Sequence, residues 1–382
     1  MKFRLIAIVV IYLLTGQTGV VVAGPACCVS ADVNTSNLAA DDLGGAGLDE
    51  ALAASLRFMK KRPRARKYRL CDQDFTVAEL IEGLTEFQEL FRRNGHSNDF
   101  VTKVREHFDI CGAVGENGEG KVMVTGYFEP VLDGSLQRKP PFIYPLYRVP
   151  NNLVKKNGNI GRMQDDQFLS YWTRAQIEEE DLLAGNELVY LNDPVEAFIL
   201  HIQGSGRVRL RDGTLRRVQF AAKNGLPYRS IGRLLADSGR MELSEVNLPV
   251  IVNYLNEHPE ERKDILYHNE SYIFFRWGNN GDSGPLGRIS EPLTTDRSVA
   301  LDHDCFPPGG LGFLKSRKPI FNDNDEIIGW APMSRFVVNQ DSGSAIRGPG
   351  RVDLFLGAGN RARMTAGIMK HPGRLYFLVK KK

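Results

Sequence analysis

Hydrophobic residues recur at helical spacing in a long stretch of the N-terminal quarter of the chain. The repeat runs up to Asn94-Gly95 and consists of Val77, Leu80, Ile81, Leu84, Phe87, Leu90 and Phe91. Thr76 and Glu79 precede it with the spacing of a capping box, so we predict a helix with one buried face. Further helices are predicted from the Thr173 to Gln176 capping pattern, around Ser230 to Asp237, and before His258-Pro259.

From Lys121 onward the pattern changes to short runs typical of strands. These runs are VMVTGYFEPVLDGS, YPLYRVP, EAFILHIQGSGRVRLRDGT, SYIFFRW, RSVALD, IIGWAPMSRFVVNQD, RVDLFLG and RLYFLVKK. The pattern predicts a mainly β fold with some α. No repeat, low-complexity tract or linker divides the body, so a second domain is expected to be inserted into the first.

The first residues are typical of an export signal. Lys2 and Arg4 precede an apolar run from Leu5 to Leu14, and Val21-Val22-Ala23 suits cleavage before Gly24. The run is shorter than the roughly 20 residues of a membrane span. We therefore predict a signal peptide over 1–23, a flexible stretch over 31–47, and a structured body from about Asp49.

Five cysteines bear on localisation and folding. Cys27 follows the cleavage region, so lipid attachment there is an alternative to the soluble exported form, which we favour. An oxidising compartment allows a disulfide among the later cysteines, and Cys71 with Cys111 is the preferred pair. No spacing suits zinc, and His303 among its polar neighbours does not indicate a metal site.

Composition excludes a disordered chain and little else, and the net charge indicates no particular partner. The chain has 382 residues, of which 42% are hydrophobic and 25% charged, as in ordinary globular proteins. Without Lys2 and Arg4 the formal charge falls from +3 to +1, so no strong attraction to nucleic acid is expected.

The candidate chemistry lies in the last third of the chain. In RVDLFLG the strand period places Asp353 on one face with Arg351 and Phe355. Asp341 precedes it in the Gly-rich segment NQDSGSAIRGPG, and Asp302 lies in RSVALDHD. Upstream, GYFEP and HIQGSG combine aromatic, amide and hydroxyl groups, which are the groups that bind carbohydrate.

These ordered segments resemble the membrane-bound lytic murein transglycosylase A family, whose C-terminal 3D domain is named for three aspartates. The resemblance covers Lys121 to the C-terminus and includes GYFEPVLDGS, YPLYRVP, DPVEAFILHIQGSGRVRLRDG, AAKNGLPYRSIGRLL and NESYIFFRW. It implies a double-psi β-barrel formed by 24–131 and 282–382, with the 3D domain at about 283–380. A second β-barrel-like domain would be inserted over 132–281, with a glycan groove between the two.

The resemblance also implies a reaction. Family members cleave the β-1,4 bond between N-acetylmuramic acid and N-acetylglucosamine in peptidoglycan and leave a 1,6-anhydromuramic acid end. Asp353 matches the single general acid and base, and Asp341 and Asp302 match supporting aspartates. The residues that match or neighbour the family's groove are Tyr127, Glu129, Gln203, Ser205, Gly206 and Arg276. No cofactor or metal is implied.

Two other functions stay open on the sequence. A true hydrolase would use Asp353 with Glu129 or Asp341 as a second carboxyl group. A peptidoglycan-binding module would hold glycan without cutting it. In each case the protein is expected to be a monomer exported to the periplasm, and an outer-membrane lipoprotein anchored through Cys27 is the alternative to the soluble form. Peptidoglycan strands are the expected partner, and cell-wall synthases are further candidates.

Overall fold

The computed structural model describes residues 27–30, 38–278 except 96 and 98, and 284–382 except 344. The predicted signal peptide, 1–23, lies outside the described residues. So does the predicted boundary between the inserted domain and the second part of the barrel.

The described strands are β1 Cys28–Ser30, β2 Lys67–Leu70, β3 Gln73–Thr76, β4 Phe108–Ala113, β5 Val122–Glu129, β6 Val131–Ser135, β7 Tyr144–Tyr147, β8 Leu153–Lys156, β9 Asn159–Gln164, β10 Gln167–Ser170, β11 Glu187–Leu191, β12 Ser205–Leu210, β13 Leu215–Lys223, β14 Ile273–Trp277, β15 Ser298–Ala300, β16 Leu311–Phe321, β17 Ile327–Asp341, β18 Arg351–Ala358 and β19 Lys370–Lys380. The described helices are α1 Leu48–Lys60, α2 Val77–Asn94, α3 Phe100–His107, α4 Arg174–Glu179, α5 Pro194–Gln203, α6 Ile231–Asp237, α7 Leu248–Glu257, α8 Pro259–Tyr267 and α9 Asn360–Ile368.

A closed six-stranded barrel lies at the centre of the fold. Its strands run β19-β16-β17-β15-β18-β5, and pairing of β5 with β19 closes the ring, while β1 and β4 extend the sheet beyond β19. The pairs β15 with β17 and β18 with β5 are parallel. The predicted mainly β architecture with some helix is confirmed, and the barrel combines strands from 122–129 with strands from 298–380.

A second sheet begins one residue after β5 ends. Its order is β14-β13-β12-β6-β11-β7, and its core contains Leu146, Val189, Val208 and Phe275. A small sheet of β8, β9 and β10 lies within the same part of the sequence. The chain therefore passes from the barrel to the second sheet at Pro130, although the limits given above for two domains stay a prediction.

The predicted helix starts are confirmed. Thr76 accepts a hydrogen bond from the Glu79 amide while the Glu79 side chain accepts from Thr76, and Thr173 and Gln176 do the same at α4. The predictions of helices around 230–237 and before His258 are also confirmed as α6 and α7. In each case local capping chemistry and side-chain spacing agree with the tertiary fold.

The strand predicted over EAFILHIQ is wrong, because this segment is helix α5. Asp193 caps the helix by accepting from the amides of Val195 and Glu196, and Pro194 occupies its first turn. Gly204 ends it with a positive φ of 78°. The helix is buried on several faces, so its apolar run lacks the amphipathic period that would have indicated a helix.

The flexible stretch predicted over 31–47 is wrong for its described part, 38–47. Leu38 is buried, and Asp41 accepts hydrogen bonds from both Nη atoms of Arg297, at 2.7 and 2.9 Å. Asp42 accepts from Nε and Nη2 of Arg335 and from Nζ of Lys318. Long-range ion pairs hold this segment, and its small polar residues give no local sign of them.

Two disulfides involve four of the cysteines. Cys71 pairs with Cys111, as predicted, and Cys27 pairs with Cys305, which the sequence did not indicate. The Cys27 sulfur cannot form this disulfide and a lipid thioether at once. No helix among the described residues is both long enough and apolar enough to cross a bilayer.

Candidate functional site

Strand pairing gathers two of the three aspartates at one end of the barrel. Ala300 at the end of β15 lies opposite Asp353 on β18 and opposite Asp341 on β17. Asp302 follows two residues after Ala300. The parallel pairing of β18 with β5 sets Thr125 beside Asp353 and Tyr127 beside Phe355.

The carboxyl group of Asp353 has a raised pKa. The Thr125 hydroxyl donates to its Oδ1 at 2.9 Å. Burial raises the pKa of Asp353 to about 6; the Thr125 hydrogen bond and the positive charge of Arg351 oppose this rise, and the negative charge of Asp341 adds to it. A carboxyl group with such a pKa exists in both protonation states near pH 6.

Phe355 lies two residues from Asp353 on the strand face that was predicted to carry them both. It is 2% exposed, and its ring centroid lies 5.3 Å from that of Tyr127. Such a ring excludes water from one side of the site. We therefore infer that Phe355 helps to desolvate the carboxyl group.

Asp341 forms a separate hydrogen-bonded unit with Tyr127. The Tyr127 hydroxyl donates to Asp341 Oδ2 at 2.8 Å, and the amides of Arg288 and Ser342 donate to Oδ1 at 3.0 and 2.9 Å. Burial raises the pKa of Asp341 despite these donors. The three donors fix the orientation of this carboxyl group beside Asp353.

Asp302 binds backbone amides of two loop segments. Its side chain is buried and accepts from the amide of Gly348 at 2.7 Å and from that of Asp304 at 3.1 Å. The first bond fixes the Gly-rich segment that precedes β18. Cys305, in the adjoining turn, carries the disulfide to Cys27.

The second sheet and helix α5 carry further predicted site residues. Gln203 accepts from the Phe128 amide at 3.0 Å, and Ser205 begins β12. A Cβ on Gly206 would lie 2.5 Å from Leu200 Cδ1 and 3.1 Å from the Pro130 carbonyl oxygen, so this glycine permits close packing of β12 on the barrel connection. Arg276 lies exposed on β14, opposite Gln219.

Glu129 is the centre of a buried ion cluster. It is 1% exposed, and its carboxylate accepts from Arg207 Nε at 2.9 Å and from Arg217. Neither contact is indicated by the sequence, because Arg207 in RVRLRDG and Arg217 in LRRVQF lie in patterns that also fit exposed strands. The predicted contact of Glu129 with substrate stays a prediction, and its oxygens are already engaged.

A cleft of about 760 Å³ opens where the barrel meets the second sheet. One wall contains Phe355, Glu129 and Arg207, and the other contains α1 residues and the segment 292–296. Thr125, Tyr127 and Glu129 alternate along β5 on one face, beside Asp353 and Phe355 of β18. Of the predicted site residues, Glu129 lines the cleft, and Phe355 on the same wall lies two residues along β18 from Asp353. The volume of the cleft is typical of ligand sites.

One group outside this cleft has atoms spaced to hold a metal ion. His258, Glu260 and Glu261 lie at the start of α8, with their ligand atoms within 4.8 Å of one another. The group lies on the surface, where acidic residues often cluster without an ion.

Comparison with known proteins gives consistent results. Residues 123–276 match the family model described as the MltA specific insert domain, and residues 297–379 match the 3D domain. The chain is 32% identical over 266 residues to membrane-bound lytic murein transglycosylase A of Escherichia coli K12, covering 69% of this chain and 67% of that protein. It is 32% identical over 286 residues to the Vibrio cholerae protein of the same name, covering 74% and 72%.

Solved structures agree with these relatives. A membrane-bound lytic murein transglycosylase from Agrobacterium tumefaciens superposes with a TM-score of 0.74 at 28% identity, covering 92% of this chain and 97% of that one. E. coli MltA with bound chitohexaose superposes with a TM-score of 0.71 at 26% identity, covering 94% of this chain and 96% of that one.

Proposed function

This chain belongs to the membrane-bound lytic murein transglycosylase A family, and from that premise we propose that Asp353 is the single general acid and base of its reaction. As a member of the family the protein is a lytic transglycosylase that acts on peptidoglycan. The observation that carries the proposal is the carboxyl group of Asp353, which accepts from Thr125, has a pKa that burial raises to about 6, and lies two residues from Phe355 on the wall of the cleft.

The reaction needs one proton donor that later becomes an acceptor. Protonated Asp353 transfers its proton to the oxygen of the β-1,4 bond as the bond to the muramic acid anomeric carbon breaks. The resulting carboxylate then accepts the proton of the sugar's 6-hydroxyl, whose oxygen attacks the same carbon. The ring closes to 1,6-anhydromuramic acid, the proton returns to Asp353, and no water is consumed.

Asp341 and Tyr127 act beside this proton carrier. The three donors to Asp341 hold its carboxyl group in place, where it stabilises positive charge that develops on the sugar. Asp302 fixes the loop before β18 through Gly348. We assign Asp341 and Asp302 supporting roles, and neither is required to transfer a proton to the substrate.

Neither carboxyl group named for the hydrolase alternative is free. Glu129 is bound by two guanidinium groups and is 1% exposed, so its oxygens are poorly placed to activate water. Asp341 accepts three hydrogen bonds that fix its orientation. These contacts favour the mechanism with one carboxyl group.

The glycan strand runs along the cleft past Phe355. In this proposal Tyr127 borders the reacting sugar, and Gln203, Ser205 and Gly206, at the junction of α5 and β12, contact the glycan strand from the side of the second sheet. Arg276 and Glu129 complete the proposed contacts. The E. coli structure with chitohexaose shows that a family member binds a linear amino-sugar oligomer.

Asp353 is expected to titrate near pH 6 in the free enzyme. NMR of isotope-labelled aspartate carboxyl groups measures this directly, with Asp353→Asn used to assign the resonance. In Thr125→Val the pKa is expected to rise further, because the hydroxyl that stabilises the carboxylate is gone. The fall in activity with rising pH would then occur at a higher pH than in the wild type.

The same experiment has a clear negative outcome. An Asp353 resonance that titrates in the range of exposed aspartates would remove the proton carrier from the mechanism. A downward shift in Thr125→Val would show that the hydroxyl does not stabilise the charged form.

The protein is exported to the periplasm in this proposal. Mass analysis of the unreduced mature protein is expected to find a peptide containing Cys27 joined to one containing Cys305. Finding a diacylglyceryl thioether on Cys27 would instead establish a lipoprotein anchored in the outer membrane. Association with cell-wall synthases and a monomeric state stay predictions.

A further inference from the structure

Arg207 lies on the wall of the cleft with part of its guanidinium free. Its side chain is 28% exposed, and Nε donates to Glu129 Oε2 at 2.9 Å. Within the described part of the chain, neither Nη atom of Arg207 has a hydrogen-bond acceptor. Arg207 shares its face of β12 with Ser205, one of the proposed groove residues.

Glu129 and two arginines form a largely buried cluster beside the cleft. Glu129 and Arg217 are 1% and 4% exposed, whereas Arg207 is 28% exposed. Arg207 is therefore the arginine of this cluster whose guanidinium reaches the cleft. An anionic group bound there would accept hydrogen bonds from its Nη atoms.

Other charged groups of the cleft are largely paired elsewhere. On the opposite wall Asp49 binds Arg92, Arg57 binds Glu291 and Asp296 binds Arg335. Glu50 lies exposed at the rim. The cationic donors offered to a ligand on the wall beside Phe355 therefore come from Arg207.

We propose that Arg207 binds a carboxylate on the muramic acid arm of the substrate and so sets the position of the glycan strand. The sugar rings themselves offer neutral hydroxyl and acetamido groups, whereas the lactyl arm of muramic acid ends in a carboxylate or in a peptide that carries carboxylates. A guanidinium fork matches a carboxylate with two parallel hydrogen bonds. This inference rests on the proposed function of the cleft.

The test compares ligands with and without carboxylates. In an Asp353→Asn background, calorimetry would measure binding of chitohexaose, of peptide-free murein hexasaccharide and of the same glycan with stem peptides. Arg207→Gln is expected to weaken binding of a carboxylated ligand by about 10- to 100-fold. It should change chitohexaose binding by less than about twofold.

Two further variants separate this role from structural support. Arg207→Lys keeps the charge beside Glu129 but lacks the fork, so we expect a smaller loss with an unchanged melting temperature. Arg209→Gln removes an exposed arginine from the same strand face, where it pairs with Asp133, and should affect no ligand. In the otherwise wild-type enzyme, Arg207→Gln should raise KM for carboxylated glycan and leave kcat unchanged.

The outcomes distinguish a lactyl carboxylate from a stem-peptide carboxylate, and they separate the role of Arg207 from that of Asp353. Weaker binding of both murein ligands indicates the lactyl carboxylate, and weaker binding of the peptide-bearing ligand alone indicates the stem peptide. Equal losses for chitohexaose and murein ligands, or a difference below about tenfold, would overturn the proposal. Cleavage of murein by Asp353→Asn would contradict the role of Asp353 while leaving the KM comparison for Arg207 valid.

Discussion

Replacing Asp353 with asparagine is expected to lower the rate of glycan cleavage roughly a thousandfold or more, while substrate binding is retained. The amide has nearly the same shape and can still accept from Thr125. It cannot supply a proton to the glycosidic oxygen or take one from the 6-hydroxyl. Both chemical steps depend on this group, so no other residue compensates for its loss.

The assay is release of soluble fragments from purified sacculi, together with a binding measurement on the same protein. Asp304→Asn serves as a control, because Asp304 is an exposed aspartate near Asp302 and should keep full activity. Retained binding with lost cleavage would also dismiss the alternative of a pure binding module. Cleavage by Asp353→Asn at a rate close to that of the wild type would refute the assignment.

The largest effect on stability is expected from Asp41→Ala. Arg297 is fully buried, and its guanidinium donates to Asp41, to the Ala46 carbonyl and to the Phe336 carbonyl. Removing Asp41 leaves a buried positive charge without its partner. The free energy of unfolding should fall by about 3–5 kcal/mol.

Chemical denaturation measures this loss, and Asp323→Ala is the matched control because Asp323 is exposed. Burial raises the pKa of Asp41, but the hydrogen bonds and charge of Arg297 outweigh it and leave the pKa below its usual value. The contribution of the pair is therefore present above the unfolded pKa and is lost as pH falls through the folded one. A loss below about 1 kcal/mol, typical of an exposed pair, would mean that the segment is not anchored as described.

The contrast between Thr76 and Asp41 shows which features of the fold follow from local sequence. Thr76 meets its partner Glu79 three residues away, so the capping box can be recognised from the sequence. Asp41 meets Arg297, 256 residues away. Nothing in the neighbourhood of either residue predicts that pair, and the surrounding small polar residues favoured a flexible stretch.

The strand prediction over helix α5 fails for a different reason. Asp193-Pro194 and Gly204 are ordinary start and stop signals. The apolar residues between them lacked a helical period because the helix is buried on several faces. Giving more weight to the two end signals than to the period would have identified it.

The candidate site was only partly accessible from the sequence. Strand alternation placed Phe355 on the face of Asp353, and the family resemblance singled out Asp353 among the three aspartates. The bonds of Asp341 to Tyr127 and of Glu129 to its two arginines depend on strand register and on packing between the two sheets. Those contacts required the three-dimensional structure.

The central claim, that one carboxyl group suffices because the sugar supplies its own nucleophile, can be tested by digesting sacculi in water enriched in the heavy oxygen isotope. Mass spectrometry of the muramic acid ends measures whether solvent oxygen enters the product. We expect anhydro ends that carry no label, since the 6-hydroxyl oxygen forms the new bond. Labelled reducing ends as the main product would show that water attacks the sugar and would contradict the mechanism.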